Sequence, residues 1–159
     1  MSKFNRLVPT NFVLQFDTDD TSDKSLKGIE FQIQRFTTPD ISLTNFDSPN
    51  PSSYMPKLSS DKIEYGVGSF DIIIGEDMET YLSIIDLMDR TAKFDGNNKL
   101  SARLLIYGLH REHIVTIEYS DVMISNISGL SFDLTNQSES TIISTISIDI
   151  NEIKIKKVK

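Results

Sequence analysis

The stretch DIIIGEDMETYLSIIDLMDR, residues 71–90, passes from a run of isoleucines through Gly75-Glu76-Asp77 into a pattern with helical spacing. Met78, Tyr81, Leu82, Ile85, Met88 and Ala92 recur at intervals of three and four, which puts them on one helix face and predicts a helix from Asp77 to about Thr91. Glu76, Asp77 and Glu79 stand in or beside the first turn, where the positive end of the helix dipole favours carboxylates, and Arg90 and Lys93 stand near the other end. DGNN at 95–98 supplies a stop. Fully burying an apolar side chain is worth about 1.5–3 kcal/mol. The face made by Met78, Tyr81, Leu82, Ile85 and Met88 is therefore expected to pack on an open face or end of a sheet.

Outward from this helix the chain alternates with a period of two, the signature of half-buried strands. In TIISTISIDI, 141–150, Ile142, Ser144, Ile146, Ile148 and Ile150 share one face while Ile143, Thr145, Ser147 and Asp149 share the other. The same reading gives a first strand through Phe12, Leu14 and Phe16, a second through Ile29, Phe31 and Ile33, and a third through Phe70, Ile72 and Ile74. Beyond the helix, ARLLIYGL and HIVTIEYS are joined by HRE at hairpin length, and VMISNI is separated from LSFDLT by Ser128-Gly129. With the long last strand this makes about eight strands, at the spacing of a sandwich or barrel. The expected class is mainly β, with one flanking helix.

Two segments lack either period. DTDDTSDKSLKG, 17–28, reads as an acidic hairpin loop. TNFDSPNPSSYMPKLSSDK, 44–62, carries Pro49, Pro51 and Pro56 among serines, with Phe46, Tyr54 and Met55 as apolar anchors. A loop of that length inside one domain calls for a function. The 159 residues fit a single domain, 1–159, whose basic tail EIKIKKVK, 152–159, is expected to extend the last strand or to lie loose.

Composition narrows the chemistry. The chain has no cysteine, which excludes disulfides, thiolate metal sites and cysteine nucleophiles together. No window approaches the ~18 apolar residues of a membrane span, and MSKFNRLVPTNF lacks the apolar core of a signal peptide, so no membrane partner is expected. A formal charge of -7 argues against general nucleic-acid binding, whose affinity comes from clustered lysine and arginine.

Individual motifs fail their chemical tests. Asp17, Asp19, Thr21 and Asp23 fall at alternate positions of a calcium loop, but Ser22 stands where the sharp turn needs glycine and Gly28 where a bidentate glutamate belongs. His110 and His113 lack a third zinc ligand in the sequence around them and read as exposed turn residues. GVGSFD, 66–71, has neither a nucleophile elbow nor a phosphate-binding fingerprint. No catalytic, metal or cofactor residue is expected, and the chain is read as a non-enzyme.

The order of pieces carries a resemblance. GIEFQIQRFTTPDISL, the proline-rich loop, FDIIIGEDMETYLSIIDLMDR, SNISGLSFDL and a closing long strand, spanning about Asn11 to Ile153, resemble the tail-tube family of contractile-tail bacteriophages. The chain departs from the family in having Pro39-Asp40 where members often carry Pro-Gly, and Leu87 and Met88 where an aromatic often stands in the helix.

The resemblance implies a tail-tube-like β-sandwich or barrel whose subunits join edge strands into six-fold rings, stacked into a channel through which genomic DNA passes without specific binding. It implies the chain itself, tail sheath and baseplate proteins as partners, and a place in the virion tail after assembly in the host cytoplasm. Main tube, baseplate initiator and terminator ring remain open. Phe46, Tyr54 and Met55 are the candidates for contact between stacked rings. A monomeric β-sandwich adaptor, holding a protein partner with the 44–62 loop, is the alternative reading.

Overall fold

Alternating sequence becomes antiparallel sheet throughout. The computed structural model describes residues 7, 9–18, 26, 28–47, 57–93, 100–135 and 140–158, with backbone alone at 18, 46–47 and 57–61. The strands are β1 (Phe12–Thr18), β2 (Ile33–Thr37), β3 (Ile41–Asp47), β4 (Lys57–Tyr65), β5 (Gly68–Ile73), β6 (Leu100–Tyr107), β7 (His113–Ile127) and β8 (Ile143–Lys157), and the helix α1 spans Glu79–Ala92. Six strands form one sheet in the order β1-β6-β7-β8-β5-β2, and β3 and β4 pair separately.

The alternation of β8 sets the core. Ser144, Ile146, Ile148 and Ile150 are buried, whereas Ile143 and Thr145 face solvent. Across the ladder Phe70 opposes Ile146 and Gly68 opposes Ile148. A Cβ on Gly68 would come within 3.2 Å of the Ile148 Cγ1, so glycine here admits the isoleucine. Aromatic contacts report the curl of the sheet. Phe16 of edge strand β1 lies 5.2 Å from Phe70 of β5, and Phe36 of the other edge strand, β2, meets Tyr119 of β7 edge-on at 5.9 Å. Each pair joins strands that are not neighbours in the sheet, so the sheet wraps around its own apolar face as a half-barrel with one helix.

The helix begins after a tight turn. Met78 N–H donates to the Gly75 carbonyl, Met78 takes left-handed φ 53, and the Asp77 carboxylate accepts from the Glu79 N–H at 3.3 Å. Asp77 thus satisfies a first-turn donor that has no partner inside the helix. The buried face differs from the expected one: Ile84 and Leu87 enter the core, while Leu82 and Ile85 are 56% and 40% exposed. Tyr81, Met88 and Met78 are half-buried. Apolar residues cover a wide arc of this helix, and the three-and-four spacing fits two adjacent stripes. The sheet selects the stripe centred on Ile84 and Leu87.

Three further expectations change. The second strand does not run through Ile29 and Phe31, because Gly28 at φ 85 opens a 3-10 turn over Ile29–Phe31 that buries Ile29 and leaves Phe31 86% exposed. HIVTIEYS and VMISNI are one strand, bent where β7 has an extra residue against β6 between Tyr119 and Val122, with Asp121 at φ 55. A bulge of this kind bends a strand without ending it. LSFDLT is not a strand.

The 44–62 segment is expected as irregular loop, and its arms are instead strands. Ile41 pairs with Tyr65 and Leu43 with Ile63, and pairing resumes from Asn45–Ser59 to Asp47–Lys57. Residues 48–56, including Tyr54 and Met55, lie outside the described residues, and Phe46 is described by its backbone only.

Candidate assembly surfaces

The β3–β4 hairpin presents one face with the wrong chemistry for water. Alternation along the two arms places Ile41, Leu43 and Ile63 together, at 59%, 49% and 54% exposure, with half-buried Tyr65 across from Ile41. The opposite face carries Ser42, Thr44, Lys62 and Glu64, and the Thr44 hydroxyl donates to the Lys62 carbonyl at 2.9 Å. A hairpin with one apolar and one polar face is built to lie on something. Exposed clusters of this kind mark interaction sites.

The outer strands offer a second kind of surface. β1 pairs only with β6, and β2 only with β5, so among the described residues each leaves one row of backbone donors and acceptors without a strand neighbour. Such edges invite another strand unless they are covered.

The polar face of the main sheet is laced by ion pairs. Arg103 holds Asp17 across β6 and β1. Arg35 lies 3.5 Å from Asp71, which also accepts the Thr145 hydroxyl at 2.7 Å. Lys156 reaches Glu118 at 2.8 Å, and Lys154 reaches Glu152 at 3.4 Å. The hydrogen bond from Lys156 holds the Glu118 carboxyl below its usual range, although partial burial opposes the shift. Each of these bases is matched by an acid. The acidic excess is more evident at the helix, where Glu76, Asp77, Glu79, Asp86 and Asp89 outnumber Arg90 and Lys93. There Arg90 pairs with Asp86 at 3.1 Å, and Lys93, raised in pKa chiefly by its hydrogen bond to Asp89, pairs at 2.5 Å.

The residues tested for metals and catalysis are dispersed or structurally employed. His113 Nε2 lies 2.8 Å from the Thr116 hydroxyl and its ring stacks obliquely on Tyr107. His110 is an exposed turn residue whose N–H donates to Glu112. Among the described residues no three histidine or carboxylate groups converge on a point that a metal would occupy. Asp17 is engaged by Arg103, and residues 19–25 of the tested calcium loop lie outside the described residues. A hollow of about 190 Å³ between the C-terminal half of α1 and the β7 bend contains Asp121, Asp149 and Asn151, with neither histidine nor a nucleophile–base pair in its wall. Among the described residues no helix is long and apolar enough to cross a membrane. Burial pushes the Tyr119 hydroxyl up to about 12, an effect of core packing.

Sequence reasoning missed the hairpin as an apolar surface. Its signal was present: ISL at 41–43 and KIEY at 62–65 alternate in the same sense as the core strands, with nothing on the page of the sequence to mark which apolar face is left outside.

A curled antiparallel half-barrel with one helix and a projecting hairpin is the tail-tube-like fold, and comparison with solved structures places the chain there. An extracellular contractile injection system captured as its PVC sheath-tube complex in the extended state contains a chain that matches with a TM-score of 0.71 at 12% identity, over 96% of this chain and 93% of that one. A chain of the six-fold symmetrised baseplate of the anti-feeding prophage matches with a TM-score of 0.67 at 12% identity, over 100% and 99%. A type six secretion system protein matches with a TM-score of 0.55 at 13% identity, over 92% and 82%. These likenesses establish a shared fold with proteins of contractile injection systems, a wider group than the bacteriophage tails the sequence resembles. No protein-family model and no curated protein matches the sequence.

Proposed function

We propose that this chain is a tube-forming structural subunit of a contractile tail or injection system, which joins copies of itself into six-fold rings that stack around a channel. The observation that carries the reading is the apolar face of the β3–β4 hairpin, Ile41, Leu43 and Ile63, held in water on a separate two-stranded sheet. Burying side chains of this size stabilises a contact by about 1.5–3 kcal/mol each before association costs. A neighbouring subunit supplies that cover, and the open edges of β1 and β2 supply the sites at which successive sheets join.

The ring partners are copies of this chain, and the outer partners are sheath and baseplate proteins of the same machine. In a bacteriophage tail the channel carries genomic DNA and the subunit belongs to the virion. The matched ion pairs of the polar sheet face suit that role, because Arg35, Arg103, Lys154 and Lys156 are each held by a carboxylate and offer a passing phosphate little to bind. The role is structural, with no chemistry asked of the chain. Phe46, Tyr54 and Met55 make the contact between stacked rings. Deleting residues 48–57 leaves a folded subunit and abolishes stacking, as read by electron microscopy and circular dichroism. Tubes formed by the deletion variant contradict this role.

A further inference from the structure

Ion pairing within the subunit leaves opposite charges unmatched at opposite ends of β8. Among the described residues, Arg111 and Lys157 are the lysine and arginine side chains without a partner. Both lie where the β6–β7 connection turns. Arg111 takes φ 62 in that turn, Lys157 stands opposite Val115, and the Val158 N–H donates to the Ile114 carbonyl at 3.0 Å. Glu112, the acid in the same turn, is occupied by the His110 N–H. Around the two bases Leu109, Ile155 and Val158 are exposed. The last residues of β8 are therefore held in place as a surface that is both basic and apolar.

The other end of the strand carries the complement. β8 runs for 15 residues, roughly 45 Å of extended chain. Just ahead of its start the Ile74 N–H donates to the Ile142 carbonyl at 2.9 Å, and Glu76 follows two residues later on the way into α1. The Tyr81 hydroxyl reaches the Ser128 carbonyl at 3.4 Å, so the helix begins beside the beginning of β8. With Ile84 and Leu87 turned into the core, Leu82 and Ile85 are left on the outer face. A shallow depression beside Leu82 is walled by Asp77, Glu79, Ser83 and Asp86. The side chains of Glu76 and Glu79 have no partner among the described residues.

We propose that the outer face of the first turns of α1 in one copy receives the basic end of β8 from a second copy, with Leu82 and Ile85 against Ile155 and Val158, and Glu76 and Glu79 facing Lys157 and Arg111. The occupant is a copy of the chain itself, because the end of β8 supplies both the positive charge and the apolar cover that the helix face lacks. Charge fixes the polarity of the contact: unlike ends attract, and two like ends brought together repel. Donor and acceptor are different surfaces at opposite ends of one strand, so the contact is heterologous and repeats from copy to copy along the strand direction. It rests on the proposed tube-forming role for what it builds, the lengthwise stacking of rings, and adds to the contact proposed there for Phe46, Tyr54 and Met55.

Two charge-reversed full-length chains test the contact. One carries Glu76→Lys and Glu79→Lys, the other Arg111→Glu and Lys157→Glu. All four positions are exposed, and circular dichroism verifies that each variant folds as the parent does. Stacking is followed by light scattering and electron microscopy. Each variant alone is expected to form rings that need at least about tenfold more protein to stack than the parent. An equimolar mixture of the two is expected to stack at the parental concentration, since every reversed end then finds a complementary one. Parental stacking by each variant alone overturns this contact and leaves the tube reading standing, as does weakened stacking that the mixture does not restore. A parent chain that forms rings but no stacks at any concentration likewise overturns this contact alone, and one that forms neither overturns both.

Discussion

The hydroxyl of Ser144, fully buried at the start of β8, lies 3.2 Å from the hydroxyl of Ser128 and donates to the Ser128 carbonyl at 3.1 Å. This polar pair sits where β7 ends, just ahead of LSFDLT, and Ser144 stands opposite Ile72 in an otherwise aliphatic row. Ser144→Ala removes a buried donor and leaves the Ser128 groups less fully satisfied, which costs about 1–3 kcal/mol. Chemical denaturation reads this as a lower midpoint with an unchanged slope. An unchanged midpoint shows that the pair contributes nothing to holding the junction.

The buried stripe of α1 predicts an asymmetry between neighbouring apolar residues. Ile84→Ala opens a cavity against the sheet and costs about 2–5 kcal/mol, whereas Leu82→Ala, at a position 56% exposed, costs less than about 1 kcal/mol. Thermal denaturation of the two variants separates them. Equal losses return the packing face to the Leu82 and Ile85 side.

Tyr119 predicts an alkaline dependence. Its hydroxyl ionises near 10.0 in the unfolded chain and at about 12 in the folded one, because burial disfavours the charged form. Between those values the folded state holds a proton that the unfolded state has released, so stability falls as pH rises. The contribution is fully present below about pH 10 and is lost by about pH 12. Tyr119→Phe flattens this decline, as measured by denaturant midpoints across that window. A decline of the same steepness in the variant assigns the alkaline sensitivity to other groups.

The hairpin face predicts a separation of stability from assembly. Ile41→Ser, Leu43→Ser and Ile63→Ser together replace side chains that are already in water, so the melting temperature of the isolated subunit changes by only a few degrees. Assembly at high protein concentration is lost. Light scattering and calorimetry on the triple variant check the two halves independently, and assembly equal to that of the parent chain contradicts the reading of this face.

The legible and illegible parts of this chain divide along physical lines. The β8 alternation from Ser144 to Ile150 could be read because a core enclosed by one curled sheet and a helix enforces a strict period on every strand residue it buries. The helix could be placed within two residues of its observed start and one of its end for the same reason at period 3.6. Its contacting stripe could not, since Leu82, Ile84, Ile85 and Leu87 satisfy overlapping periods and only the position of the sheet chooses between them. Phe31 looked like a strand residue because three residues are too few to show a period, and the glycine before them, Gly28, is the one local sign of the 3-10 turn. The continuity of β7 was hidden by Ser120-Asp121, polar residues that read as a break and act as a bend. The surfaces were the least legible, because Ile41, Leu43 and Ile63 alternate like core residues, and a single chain's pattern does not say whether the cover comes from itself or from another copy.

The central claim is that copies of this chain complete one another's sheets around a channel, and electron microscopy of the purified full chain across a wide concentration range, with two-dimensional class averages, tests it most directly. The account predicts six-fold rings with an open centre, stacked into short tubes at the highest concentrations. Single, unassociated subunits at every concentration, with the edges of β1 and β2 and the hairpin face left in solvent, contradict it.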